Sequence, residues 1–298
     1  PYTAPHSNNR NESIMPANTY SRTELLETAK NSPRAVATHD RATWMSLFAE
    51  CHVVEDPIGS KPHVGGVFDA VTGERGRGAL GRFFDTFIAP NNIVFQVDRD
   101  VVCDQHVVRD LTIEIHMSPT VIVQTPMHLL YELVEEKGRL KIQRLAAHWE
   151  LGVMLKQVMR PQLAYLQIGN QLGLRMLKLQ GLSGVGGFMR ALSSVGEAGK
   201  TIARQFAERI SRHDGAALRE LLTPDARIEF PYGTDPIGID LLLAGVQDLT
   251  LTKMLAAGDT VTASFLLNNQ HRGVAFFYFN RRSRQICRAV FYWDDNQH

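Results

Sequence analysis

One pattern is written twice in this chain, and that repeat constrains the fold more than any other feature. His39-Asp40, Leu47, Val54-Glu55-Asp56-Pro57, Gly59-Ser60 and Pro62 recur as His213-Asp214, Leu221, Ile228-Glu229-Phe230-Pro231, Gly233-Thr234 and Pro236. Partners lie 174 residues apart throughout, as in 230 minus 56. Further on, Ile142, Arg144, Trp149 and Glu150 recur as Ile286, Arg288, Trp293 and Asp294 at an offset of 144, so the second copy is 30 residues shorter in its middle (174 minus 144). A repeat of this size implies two copies of one domain fold, not a solenoid of small units. At 298 residues there is room for both. The copies part at one chemically telling position: the carboxylate of Asp56 becomes the phenyl ring of Phe230 while its neighbours are kept.

Within the first copy, Ser21-Arg22-Thr23-Glu24 ahead of Leu25 is a capping-box signature that starts a helix. Asp40 caps a second helix that carries Trp44, Leu47 and Phe48. Cys51 to Glu55 reads as a strand stopped by Pro57, residues 60 to 77 as a loop, and Ala79 to Ile88 as a helix. Strands follow at Ile93 to Val97, Val107 to Met117, Val121 to Glu132 and Leu140 to Trp149, with a turn at Glu135 to Gly138. The second copy predicts helices at Thr201 to Ser211 and Gly215 to Leu222. Its strands are Ala226 to Phe230, Leu249 to Leu255, Val261 to Leu267, Val274 to Phe279 and Ile286 to Trp293. Helices followed by a run of antiparallel strands make each copy α+β. The expected division is a disordered tail over 1–20, a first domain over 21–150, a connector over 151–197 and a second domain over 198–298.

Composition narrows the function classes. A net charge of +1 gives no electrostatic ground for nucleic-acid binding. Cys51, Cys103 and Cys287 are scattered and odd in number, which predicts reduced thiols and a cytoplasmic protein. No apolar run is long enough to span a bilayer, and the first residues lack a secretory pattern. Met15 is a candidate natural start. Residues 151 to 196 contain no Asp or Glu but carry Lys156, Arg160, Arg175, Lys178 and Arg190 among many Leu, Met and Gly. Two readings fit them: a helical connector packed across both domains, broken near Pro161 and Gly181 to Gly187, or a basic amphipathic surface that touches an anionic membrane or a partner.

The segment Val54-Glu55-Asp56-Pro57-Ile58-Gly59-Ser60-Lys61-Pro62 closely resembles the V-E-D-P-x-G-S-x-P segment of bacterial Δ5-3-ketosteroid isomerases. They form a branch of the NTF2-like superfamily, which also holds SnoaL-like polyketide cyclases, dehydratases and non-catalytic binding proteins. The resemblance covers residues 21 to 150 and, more weakly, 198 to 298. It implies two tandem cone folds, each a curved antiparallel sheet packed on helices around an apolar pocket, and an internal pseudo-dimer that is itself open to dimerisation.

The resemblance also implies roles. The family's general base falls on Asp56, which would carry a proton between two carbons of a hydrophobic ketone without any cofactor or metal. The family's oxyanion donors are a tyrosine on the first helix and a protonated acid on a strand. By count the tyrosine position falls on Ser32, and a supporting tyrosine position falls on Phe84. The acid position falls on His128 if the hairpin is two residues longer here, or on Leu130 if it is not. His128 is thus a candidate donor or acid/base. Trp149 is a candidate substrate contact, although its recurrence as Trp293 favours packing. In the second copy the equivalent positions are Phe206, Phe230 and about Ala275, a set that implies a catalytically silent domain. The expected activity is a ketosteroid isomerase-like proton transfer on a steroid or polyketide-like small molecule. The alternatives are a cyclase or dehydratase that uses Asp56 with His128, and a non-catalytic steroid or lipid binder. Dinucleotide, P-loop, zinc-protease and nucleophile-elbow motifs are absent from the sequence.

Overall fold

The computed structural model describes residues 20–66, 78–159 and 163–294, together with the backbone of 68–69 and 74–75. The expected tail, Met15 and Pro161 lie outside the described residues, as does much of the loop over 60–77. Helix α1 (Arg22–Ala37) begins at the expected capping box, with the Ser21 side chain accepting from the Glu24 amide and the Glu24 carboxylate accepting from Ser21. Asp40 caps α2 (Arg41–Ser46) in the same manner through the Thr43 amide.

Strands β1 (Phe48–Glu55), β2 (His63–Val64), the short pair β3 (Phe68–Asp69) and β4 (Glu74–Arg75), β5 (Asn92–Cys103), β6 (His106–Ser118), β7 (Val121–Glu136) and β8 (Arg139–His148) follow. Helix α3 (Gly78–Phe83) precedes β5 and runs into a π-helical turn over Phe84–Ile88. Six strands form a sheet in the order β2-β1-β8-β7-β6-β5, antiparallel except where β1 runs parallel to β8. The strands are longer than the sequence predicts because β-branched and aromatic residues keep the ladders going to tight turns such as Lys137-Gly138.

After helices α4 (Leu151–Val158) and α5 (Leu163–Met189), the second half comprises α6 (Gly196–Ser211), α7 (Gly215–Glu220), β9 (Leu222–Glu229), α8 (Ile239–Gly245), β10 (Leu249–Ala257), β11 (Thr260–Leu267), β12 (His271–Phe279) and β13 (Ile286–Tyr292). Its sheet is ordered β10-β11-β12-β13-β9, with β9 parallel to β13. The two sheets therefore share one strand order, with β9, β13, β12, β11 and β10 in the places of β1, β8, β7, β6 and β5. Helix α8 is an element that the sequence reading does not contain.

Each sheet has its own apolar core on the face that its helices cover. A third cluster joins the opposite faces: Val101, Val108, Leu130 and Ala146 from the first sheet pack on Val274, Phe276, Val290 and Tyr292 from the second. The halves also meet backbone to backbone. Gly59, in the turn after Asp56-Pro57, sits at φ +92°, and a Cβ there would lie 2.9 Å from the Gly258 Cα. Only glycine fits at such an approach. The interior of the second half is filled by rings: Phe206 packs on Phe277, and Phe230 and Phe265 pack on Phe291 and Trp293. Cys51, Cys103 and Cys287 are free thiols.

Candidate active site

Strand alternation builds the site. On β7, Thr125, Met127, Leu129 and Tyr131 point to the concave side, where they line a cavity of about 110 Å³. Ile113 and Ile115 of β6 continue this floor, and α1 contributes Ser32 and Val36. Phe83 of α3 and Phe87 of the π turn close one side. The mouth is covered from the connector: Met154 of α4 and Leu172 and Phe188 of α5 all face the cavity. Helices α4 and α5 thus pack across the first half's pocket.

Asp56 enters this cavity from the end of β1. Its turn is held by amide bonds from Ile58 to the Ala147 carbonyl and from Lys61 to the Gly187 carbonyl. Trp149 Nε1 donates to Asp56 Oδ1 at 2.5 Å. The residue is half-buried, and desolvation of its carboxyl pushes the pKa up to about 6, against the opposing pull of the Trp149 hydrogen bond. A carboxylate so poised can take and return a proton near neutral pH.

Asp56, Ser32 and Trp149 all line the cavity, and Trp149 is the carboxylate's hydrogen-bond donor as well as a wall. Ser32 accepts from the Trp44 indole at 3.1 Å. Three residues depart from expectation. His128 does not reach the pocket; it points from the opposite face of β7 into the contact between the halves. There its Nδ1 meets Thr262 Oγ1 at 2.7 Å and its Nε2 meets Ser264 Oγ at 3.0 Å. Leu130 lies on the same outer face, in the cluster that joins the sheets. The reason is the two-residue side-chain period: His128 and Leu130 share a phase, and the cavity takes the other phase. Phe84 is also displaced. The π turn rotates it into the core, 5.5 Å from the Trp44 ring, and leaves Phe83 and Phe87 at the cavity.

The pocket holds polar groups that the sequence reading passed over. Thr125 Oγ1 is buried with no hydrogen-bond partner among the described residues, and it lines the cavity. Tyr131 is also there, its phenol pushed up by burial while Arg109 and Ser32 pull it down. Apolar alternation from Val121 through Val123, Thr125, Met127 and Leu129 to Tyr131, against Gln124 and Pro126, is the signal that would have found them.

No family model matches the chain, and no curated protein does. Solved structures do. One is a Δ5-3-ketosteroid isomerase from Mycobacterium sp., 28% identical over 44% of this chain and 96% of that one, with a TM-score of 0.36. A second is RV0760c from Mycobacterium tuberculosis in complex with estradiol-17beta-hemisuccinate, at 26% identity, 44% and 96% coverage and a TM-score of 0.36. A third is a putative polyketide cyclase from Sinorhizobium meliloti, at 16% identity, 43% and 99% coverage and a TM-score of 0.31. Each match spans a little under half of this chain, and the chain is similar to ketosteroid isomerase-like and polyketide cyclase-like proteins of the NTF2-like group.

Proposed function

We propose that the first half is a cofactor-free isomerase that moves a proton on a hydrophobic ketone, with Asp56 as the base. The observation that carries this reading is Asp56, the one carboxyl among the described residues that line a mostly apolar cavity, with its pKa raised to about 6 by burial. Apolar walls select a hydrophobic substrate and keep the carboxylate basic. Abstraction of a proton beside a carbonyl builds negative charge on the ketone oxygen, which needs donors. Thr125, with its hydroxyl unpartnered, and Tyr131 are the cavity's own candidates for that task. The second half, with Phe206, Phe230 and Ala275 at the matching positions, serves as a silent partner in an internal pseudo-dimer that arose by tandem duplication. Cyclase or dehydratase chemistry through an Asp56–His128 pair is not proposed, because His128 faces the other half.

The direct test mixes the protein with a Δ5-3-ketosteroid and follows the conjugated enone by absorbance; absence of turnover across hydrophobic ketones of several sizes counts against the proposal. Tyr131→Phe and Thr125→Val should each lower kcat by about tenfold to a thousandfold if the group donates to the oxyanion, with little change in KM. An effect confined to KM assigns the group to binding alone.

Trp149→Phe offers a prediction about pH. The indole N–H favours the charged carboxylate, so its loss raises the Asp56 pKa further. The acid limb of kcat/KM, expected near pH 6 in the wild type, should move up by about one unit, the worth of a hydrogen bond to a charged group. An unmoved limb removes Asp56 as the titrating group.

A second reading, a binder without turnover, is favoured by the cavity's size. About 110 Å³ is small beside the ~300–1,000 Å³ of ordinary ligand sites, so a tetracyclic ligand requires the walls to yield. Tight steroid binding with no enone formation, unchanged in Asp56→Asn, selects this reading.

A further inference from the structure

Helix α5 is apolar on two opposite sides. Leu172 and Met176 are buried against the first half. On the other side Leu163, Leu166, Leu174 and Leu177 share one face at helical spacing and are 45 to 70% exposed. Among the described residues, nine of the fourteen exposed large apolar side chains fall between Val153 and Leu192. A helix apolar on both sides normally lies inside a protein, and an exposed patch of this kind marks a surface that something covers.

Charge decides what covers it. The whole segment from 151 to 196 lacks Asp and Glu. Lys156, Lys178 and Arg190 are exposed and Arg175 is half-buried. Among the described residues none of the four has a salt-bridge partner. A second copy of the chain seated on this face by a two-fold axis would bring like charges together. An anionic lipid surface complements both features, since it takes leucines into the acyl boundary and lysine and arginine at the headgroups. No helix among the described residues is long and apolar enough to cross a membrane, so α5 would lie in the interface plane.

We propose that α4 and α5 form a docking surface for anionic membranes, with the outer leucines of α5 inserted and Lys156, Arg175, Lys178 and Arg190 on the headgroups. The buried side of α5 lines the apolar cavity through Leu172 and, beyond the kink at Gly181, through Phe188. Docking therefore sets the pocket's mouth beside the phase into which a hydrophobic ligand partitions.

Flotation of the full chain with phosphatidylcholine vesicles, with and without phosphatidylglycerol, tests this. The wild type should float with the anionic vesicles only, and less so as salt rises. Arg175→Gln/Lys178→Gln should weaken binding about 30-fold, at roughly 1 kcal/mol per surface cation. A quadruple variant carrying Leu163→Ser, Leu166→Ser, Leu174→Ser and Leu177→Ser should not float, with its melting temperature and far-ultraviolet dichroism unchanged. Should that variant fail to fold, the charge variant and the salt series still decide. The proposal is overturned if the wild type ignores anionic vesicles or the charge variant binds as well as the wild type. It is overturned equally if the wild type is a dimer that the leucine variant converts to a monomer.

Discussion

Replacing Asp56 with Asn is expected to cut kcat for ketosteroid isomerisation by about a thousandfold and, at the same time, to make the protein harder to unfold. The first effect is the loss of a general base, which contributes about 10² to 10⁴ in rate. The amide keeps the shape of the carboxyl and an oxygen for the Trp149 indole, so the cavity should survive intact. The second effect follows from the raised pKa. Asp56 moves from 3.8 to about 6 on folding, so the folded state holds the proton more tightly than the unfolded chain. Well below pH 4 both states are protonated and folding bears no charge-burial cost; the cost grows as pH rises from about 4 and is complete above about 6, so stability falls across that window. Asn never ionises, so its gain should be about 0.5 kcal/mol at pH 4 and about 3 kcal/mol at pH 7. Urea unfolding of both proteins at the two pH values measures this. Near wild-type turnover in the variant places the base elsewhere, and a stability difference flat with pH means that the carboxyl is not desolvated.

That two-sided expectation rests on a residue that the repeat made visible, and the rest of the site was unevenly legible. The order of helices and strands was readable because capping residues such as Ser21 and Asp40, and β-branched alternation in the long strands, are local signals. Strand β1 starts at Phe48, three residues ahead of the expected Cys51; Phe48 and Ala49 are both buried and Glu50 and Cys51 both exposed, so its first half lacks the alternation that marks a strand. Helix α8 escaped notice since its N-cap, Gly238, offers no side-chain hydrogen bond and Pro236 lies close by. His128 was assigned to the wrong face by counting along a hairpin, where an odd-numbered slip moves a side chain through the sheet. The phase of Gln124 and Pro126 on the same strand would have corrected it. Nothing local could show that α4 and α5 cover the cavity: Leu172 and Leu174 are chemically alike, and only tertiary packing says which one faces in.

Asp110→Ala should cost about 3 kcal/mol of stability at neutral pH, the largest loss expected from a single polar side chain away from the pocket. Asp110 lies under the contact between the sheets, where Lys253 Nζ donates to it at 2.6 Å and Ser264 Oγ at 2.5 Å. Burial alone would raise its pKa, but hydrogen bonding to His128, Lys253 and Ser264, with the positive charge beside it, outweighs burial and holds the carboxyl below the usual carboxylate range. Burial holds His128 below its ordinary value despite Asp110, so at neutral pH its imidazole is uncharged and Lys253 supplies the counter-charge. A single tautomer satisfies the chain: Thr262 donates to Nδ1, Nε2–H donates to Ser264, and Ser264 donates to Asp110. Removing Asp110 leaves the half-buried Lys253 ammonium only the Leu111 carbonyl and the more distant Asp98 carboxylate at 3.6 Å, and leaves the serine proton without an acceptor, which is the costly way to break a buried pair. Asp110→Ala/Lys253→Met should recover most of the loss by removing the stranded cation and leaving an apolar contact. The pH dependence has a definite sign. His128, and His148 held near 3 by burial beside Phe276, bind fewer protons folded than unfolded, so stability falls as pH drops through the unfolded imidazole value of about 6.5. Asp110 adds its own loss lower still, once acid passes below the ordinary carboxylate pKa of about 4. Denaturant titrations from pH 8 to pH 4 should therefore show His128→Gln losing less stability than the wild type below about pH 6.5, the opposing contribution of Asp56 being common to both. Should Asp110→Ala unfold at the wild-type midpoint, or the double variant recover nothing, this polar network contributes little and the halves are held by the apolar cluster around Leu130 and Phe276 and by their other contacts.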